Sequence, residues 1–195
     1  MHTLSPPSLR ASSPGRLDRA FFNRPTLRVA RELLGKFIVH RNGSIEHVAM
    51  ITEVEAYKGP RDRAAHTFDG RRTLRVEPLY ADGGTAYVYF IYGMHWMLNL
   101  STMGAEIPEG VLVRGVLLAS DGASEWFVGP GRVCKRLAID KTLSGVDTVT
   151  SATLWLEDRG VRFKAKQILK GPRVGIDYAG PYWAARLWRF RVNKL

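Results

Sequence analysis

A strand-like run, Ile51-Thr-Glu-Val-Glu-Ala-Tyr57, carries Glu53, Glu55 and Tyr57 at every second position. An arginine-laced turn after Gly59-Pro60 then leads on to His66. Side chains at alternate strand positions share a face, so two carboxylates and a phenol fall on one side and Val54 and Ala56 on the other. A carboxylate beside a wet pocket can take a proton from water. A tyrosine can stack on a flat ring, and an imidazole can hydrogen-bond to a substrate. An amphipathic strand with its acids in solvent has the same pattern, however, and nothing in the run itself separates Glu53 from Glu55.

Three further stretches carry candidate chemistry. Thr85–Thr102 reads as two aromatic strands around a Gly-Met tip, with Tyr87, Tyr89 and Ile91 on one face and Tyr92 at the tip. A three-residue loop, Gly93 to His95, sets Tyr89 opposite Asn99 on a shared face; a two-residue loop separates them. An exposed aromatic or methionine at such a tip, here Tyr92 and Met94, is suited to wedge between stacked bases, although strand aromatics more often fill a core. Arg114 interrupts the apolar run Gly110–Leu118. It either pairs with a strand glutamate or reaches a phosphate or the pocket. Finally, Gly129-Pro-Gly-Arg-Val-Cys-Lys-Arg136 is a glycine-rich turn entering a basic helix, able to set backbone N–H groups and Arg132 or Lys135 against a phosphate.

The elements that must position these residues are mostly strands. Extended runs are expected at 36–40, 47–56, 85–91, 96–102, 110–118, 153–157, 161–169 and 187–192. Leu27, Ala30, Leu33 and Leu34 have helical spacing over Pro25–Leu34, which stops at Gly35. A second helix is expected over Gly131–Ile139, after Gly129-Pro130. Residues 1–16, rich in Ser, Pro and Arg, read as a disordered basic arm ahead of one α+β domain from residue 17 to 195.

Charge points to a polyanion. The 195 residues carry 29 Lys and Arg against 18 Asp and Glu, for a net charge of +11. From Arg159 to Leu195 there are ten Lys or Arg and one acid, Asp177; from Arg61 to Arg75 there are five Arg and two Asp. Two basic stretches around the carboxylate strand suit a groove that tracks phosphates. The single cysteine, Cys134, excludes a disulfide framework and a Cys-rich metal site. There is no P-loop, no dinucleotide fingerprint and no Gly-x-Ser-x-Gly. No apolar run is long enough to span a membrane, and no secretory signal opens the chain. The bacterial cytoplasm, at the nucleoid, is the expected location.

Read in order, these blocks resemble the alkyladenine (3-methyladenine) DNA glycosylase family. The matching residues are Leu33-Leu34-Gly35-Lys36, Glu53-Val-Glu-Ala-Tyr57, Gly59-Pro60, Ala64-Ala-His66, Tyr87-Val-Tyr89, Tyr92-Gly-Met94, Asn99, Val113-Arg114, Gly129-Pro130, Leu137-Ala-Ile139 and Arg173-Val-Gly175. The resemblance implies a mixed α/β domain around a curved, mainly antiparallel sheet, unlike the helix-hairpin-helix glycosylases. It implies a base-excision repair hydrolase that flips alkylated or deaminated purines out of double-stranded DNA and leaves an abasic site. A monomer without cofactor is expected. The pocket offers one committed acid, so no metal is expected. Lys58 follows Tyr57 in the strand and points away from Glu55, so no lyase activity is expected, and without a long amphipathic helix no membrane partner is expected. Carried over by position, Glu55 is the general base, Tyr57, His66 and Tyr89 line the base pocket, and Asn99 stands at its edge against the amino group of guanine. Tyr92 fills the gap left in the duplex, and Arg114 supports the water and the flipped nucleotide's phosphate. The segment Arg75–Thr85 and the loop at Asp121–Phe127 are short beside the mammalian pattern.

Rival classes make distinct expectations. A binding module that only stacks and grips would keep its function when Glu55 becomes glutamine. A nuclease would need metal-binding carboxylates and would stop in EDTA.

Overall fold

The computed structural model describes residues 15–120 and 123–193, in which ten strands pair throughout in antiparallel fashion. They are β1 (Gly15–Arg16), β2 (Phe37–Asn42), β3 (Ile45–Tyr57), β4 (Ala86–Ile91), β5 (His95–Thr102), β6 (Glu109–Ser120), β7 (Ala123–Val128), β8 (Leu154–Asp158), β9 (Ile168–Gly171) and β10 (Arg189–Val192). The main path runs β1-β8-β2-β3-β6-β5-β4, with β7 on β6, β10 on β3 and β9 beyond β10. Four α-helices lie among the described residues: α1 (Arg19–Phe22), α2 (Thr26–Leu33), α3 (Pro130–Arg136) and α4 (Pro181–Ala184). This is the α+β architecture with a large antiparallel sheet that the sequence leads one to expect.

β3 organises the sheet. Its first half, Ile45–Met50, pairs with β2; its second half, Glu53–Glu55, pairs with β10 on that same edge. β6 runs along its other edge, but the ladder is irregular in the middle. Ile51 stands opposite Val116, Glu53 opposite Gly115 and Val54 opposite Val113, so Thr52 and Arg114 fall out of the pairing. Such an irregularity re-aims side chains. Gly115 is required there, because a Cβ on it would come within 2.9 Å of the Glu53 Cβ.

α2 closes one face. Its apolar stripe, Val29, Ala30 and Leu33, is buried in one core with Ile51, Val54, Ala56, Leu98 and Val113. Burying Val29 or Leu33 contributes about 1.5–3 kcal/mol relative to exposure, and the single methyl of Ala30 less. The helix ends where Gly35 takes φ +87°, with the Val161 carbonyl 3.0 Å from where a Cβ would stand. That leaves the opposite face of β3 to carry Glu55 and Tyr57.

Several expectations need correction. Val161–Leu169 alternates apolar and polar residues, but only Ile168 and Leu169 belong to a strand. Val161 and Phe163 instead pack against Phe37, Met50 and Leu117, so the alternation reports alternate burial and not sheet pairing. The loop expected at Asp121–Phe127 is largely β7, which pairs with the end of β6 from Gly115 to Ser120. Residues 121–122 lie outside the described residues. The short helix α1 was not foreseen, and α3 stops at Arg136, with Ala138 at φ +52°. Gly15–Arg16 already pairs with Asp158 and Glu157, so order starts before Leu17. Most of the expected basic arm, residues 1–14, lies outside the described residues.

Candidate active site

The β4–β5 hairpin has a three-residue loop, but it is Tyr92–Met94. Tyr87 therefore stands opposite Asn99 and Tyr89 opposite Met97. The register differs by one residue on each strand from the expected one, and the parity is unchanged: Tyr87, Tyr89, Met97 and Asn99 share a face. That face and Tyr57 at the end of β3 line a cleft of about 360 Å³, within the range of roughly 300–1,000 Å³ typical of ligand sites.

Rings form the walls. Tyr57, His66, Tyr87 and Tyr89 all line the cleft. The His66 ring meets Tyr89 edge-on at 4.6 Å between centroids, and Tyr89 stacks on Tyr87 at 5.2 Å. His66 Nδ1 lies 2.9 Å from the Tyr87 hydroxyl. Burial, with Arg75 and Arg71 nearby, lowers the His66 pKa to about 4, so the imidazole is neutral at physiological pH. Burial also pushes the Tyr87 phenol up to about 12 and raises Tyr89. Asn99 is buried at the edge, its Nδ2 donating to the Tyr87 carbonyl at 3.3 Å. Tyr87 was not among the expected pocket residues. The alternation that placed Tyr89 there also places Tyr87.

Glu55 is wholly buried beneath this cleft, behind three groups that line it: Tyr57, Arg114 and Val174. The Tyr57 hydroxyl donates to its Oε2 at 2.9 Å, and the Val174 backbone N–H donates to its Oε1 at 2.9 Å. Arg114 Nε lies 3.3 Å from Glu55 Oε1 and 3.4 Å from Glu53 Oε1. That nitrogen forms no well-directed hydrogen bond, so the contact is one of charge. Desolvation dominates and raises the Glu55 pKa, while Arg114, the Val174 N–H and Tyr57 pull against it. The two readings of Arg114 thus coincide: it pairs with both strand glutamates and lines the cleft. Glu53 shares the Arg114 nitrogen with Glu55 and has Arg189 at 3.5 Å as a second cation, and neither carboxylate itself lines the cleft. The Val174 N–H was beyond sequence reasoning, because every non-proline residue has one.

The tip stands at the cleft mouth. Tyr92 lines it and is 79% exposed, Met94 is 66% exposed, and Tyr178 joins them as a second exposed tyrosine at the rim. Tyr92 holds φ +53°, a conformation that L residues avoid. Arg132 and Lys135 are exposed on α3, outside the cleft lining. Pro130 at the start of α3 reaches the lining, and Gly131 lies so close to His95 that a Cβ would come within 2.7 Å of its ring. Cys134 is buried, its thiol pushed up to about 12. Among the described residues, no three His, Cys, Asp or Glu side chains gather as a metal site would need, and no helix is long and apolar enough to cross a membrane.

A protein of Clostridium perfringens named "Putative 3-methyladenine DNA glycosylase" is 39% identical, covering 91% of this chain and 96% of its own. Proteins with that same name from Natranaerobius thermophilus and Anaeromyxobacter dehalogenans are 36% and 41% identical, again over 91% of this chain and over 96% and 84% of theirs. Residues 20–194 match the family model described as methylpurine-DNA glycosylase. The chain belongs to the methylpurine-DNA glycosylase family.

Proposed function

We propose that the protein is a DNA repair glycosylase that excises alkylated and deaminated purines from duplex DNA, the class of 3-methyladenine, 7-methylguanine, hypoxanthine and ethenoadenine. One observation carries the reading: a buried carboxylate, held by a phenol, a backbone N–H and an arginine, lies directly under a cleft walled by aromatic rings. A purine stacked in a duplex cannot be attacked at its sugar, so it must be extruded, and a damaged base costs less to extrude. The rings of Tyr57, His66 and Tyr89 replace the lost stacking. Electron-poor or cationic purines gain most from electron-rich tyrosine faces.

Glu55 is the general base. A water at the floor of the cleft, beside Tyr57 and Arg114, gives its proton to the carboxylate and attacks the sugar carbon as the purine leaves. Its raised pKa makes it a better proton acceptor than an ordinary carboxylate, and Arg114 keeps the ionised form accessible. A methylated purine departs with its positive charge neutralised, whereas hypoxanthine needs a proton as it leaves. Asn99, at the edge, excludes the amino group of guanine. Tyr92 fills the space vacated in the duplex, with Met94 beside it, and Arg132 and Lys135 hold phosphates. Water and not an amine is the nucleophile. Lys58 turns to Glu109, 3.4 Å away, so no Schiff base forms, and the product is an intact abasic site. The reading includes a monomer in the bacterial cytoplasm, acting without metal or cofactor.

The test is a labelled duplex with a single hypoxanthine or ethenoadenine, incubated with the protein in EDTA and then heated in alkali. Breaks that require alkali and vanish with Glu55→Gln are expected. Breaks unaffected by that substitution, or covalent trapping by borohydride, overturn the mechanism. Binding without release of any purine, methylated ones included, leaves a stacking module instead.

A further inference from the structure

Glu55 has two hydrogen-bond donors, and one side chain stands behind both. We infer that Arg173, locked to Asp62, is a positioning residue that holds the Tyr57 phenol and the Val174 N–H on the Glu55 carboxylate. The inference rests on the reading of Glu55 as the base.

The Arg173 and Asp62 side chains are both fully buried. Arg173 Nη2 donates to Asp62 Oδ1 at 2.9 Å, and Nη1 donates to the other carboxylate oxygen and to the Ala56 carbonyl at 3.0 Å. The guanidinium is thereby fixed from two sides, and its Cζ lies over the Tyr57 ring, 4.7 Å from the centroid. Its other neighbour is the Trp188 ring at 5.0 Å, and Arg186 continues the column from there. The next residue in the chain is Val174, whose N–H reaches Glu55 Oε1 at 2.9 Å. Asp62 also accepts from the backbone N–H groups of Lys58 at 3.0 Å and Ala64 at 3.1 Å, so it fixes the turn that leads from Tyr57 toward His66.

A buried ion pair is a poor filler, since an apolar pair of the same shape packs as well or better. What an apolar pair cannot do is hold a ring and a backbone N–H at set distances from a carboxylate. The groups facing Glu55 are Glu53 and Tyr57 on β3, Arg114 on β6, Tyr89 on β4, Arg189 on the adjoining β10, and the Asp62–Arg173 pair itself. Replacing Arg173 leaves the cation of Arg114 in place and releases the two donors. Donors stabilise the ionised carboxylate, so their loss raises its pKa. The base must be ionised to act, so the acid limb of the rate profile moves to higher pH.

The experiment is single-turnover release of methylated purines from alkylated duplex DNA, followed from pH 5 to 9. These purines leave with their own charge, so the acid limb reports the base alone. Arg173→Met and the isosteric Asp62→Asn are each expected to move that limb up by about one pH unit, a loss of about tenfold below the limb, with most of the rate recovered at high pH. Arg173→Lys, which keeps the charge beside Asp62, should move it less. A uniform loss at every pH with the limb in place, matching the fraction folded by circular dichroism, overturns the inference and leaves the pair a structural one. Failure of Arg173→Met to fold leaves Asp62→Asn and Arg173→Lys to give the same two outcomes. Glu55→Gln run alongside separates the two layers. If it still releases purines, the assignment of the base fails. If it is inactive while the limb stays fixed in the Arg173 and Asp62 variants, only the positioning role fails.

Discussion

Glu53 and Glu55 are two residues apart on one strand, and their surroundings make them chemically unlike. Glu55 is buried beneath the cleft with its pKa raised, whereas Glu53 sits between Arg114 and Arg189. As the proposed base, Glu55 should be the sensitive one. Glu55→Gln is expected to lower single-turnover excision by about 10²–10⁴-fold and to leave binding of lesion duplex intact, while Glu53→Gln should cost far less. His66 gives a second prediction at this scale. Its folded pKa of about 4 lies below the ordinary histidine value of 6.5, so the folded state binds fewer protons than the unfolded state between those values. Its neutral form therefore contributes stability in full above about pH 6.5, and this is lost as the pH falls toward 4, to a ceiling of about 3 kcal/mol. The melting temperature should drop more on going from pH 7 to 5 than it does for His66→Gln. The ring signals of His66 should not titrate between pH 6 and 8 in an NMR experiment. Alternation along the strands was enough to set Glu53, Glu55 and Tyr57 on one face and Tyr87 and Tyr89 on another, but only the family resemblance singled out Glu55 from Glu53. The Val174 N–H was not legible in the sequence, since a backbone donor leaves no mark, and neither was the Asp62–Arg173 pair, whose members are 111 residues apart.

The β4–β5 hairpin is the element where conformation and proposed use conflict most openly. A non-glycine residue at φ +53°, with its aromatic ring 79% exposed, is costly on both counts. Tyr92→Gly should leave the melting temperature unchanged or slightly raised. It should weaken binding to lesion duplex by about tenfold, roughly the loss of one stacked ring, and spare binding to a single-stranded lesion, where there is no gap to fill. Fluorescence anisotropy on the two substrates checks this. Strand alternation fixed which hairpin residues share a face even though the loop lay one residue away from where it was expected, because parity survives a shift of both partners. Val161–Leu169 shows where alternation fails. The same spacing arises when a loop lays every second side chain onto a sheet, and only the packing of Val161 and Phe163 against Phe37 distinguishes the two. β7 was missed for a related reason. Its pairing with β6 is long in space but short in sequence, and its Ala-Ser-Glu start has little strand character.

Across the whole molecule the excess of cations should set affinity. With a net charge of +11, duplex binding should fall at least tenfold between 50 and 200 mM salt. If Arg132 and Lys135 each hold a phosphate, the double substitution to alanine lowers the slope of log K against log salt by about two. An unchanged slope places the duplex elsewhere. Sheet topology bears on another property, the order in which the site comes into being. Glu55 lies in the first third of the chain, but its strand is flanked by β10, and its Oε1 is held by Val174, both from the last quarter. A ribosome therefore delivers the carboxylate, with Tyr57 and Arg114, long before Val174 and β10. Until the residues beyond 170 have emerged, Glu55 has the Tyr57 phenol and Arg114 beside it, but neither a neighbouring strand on that edge nor the Val174 N–H on its Oε1. The power to cut a glycosidic bond would then arrive late in synthesis and all at once, and a chain broken off early would be silent toward DNA.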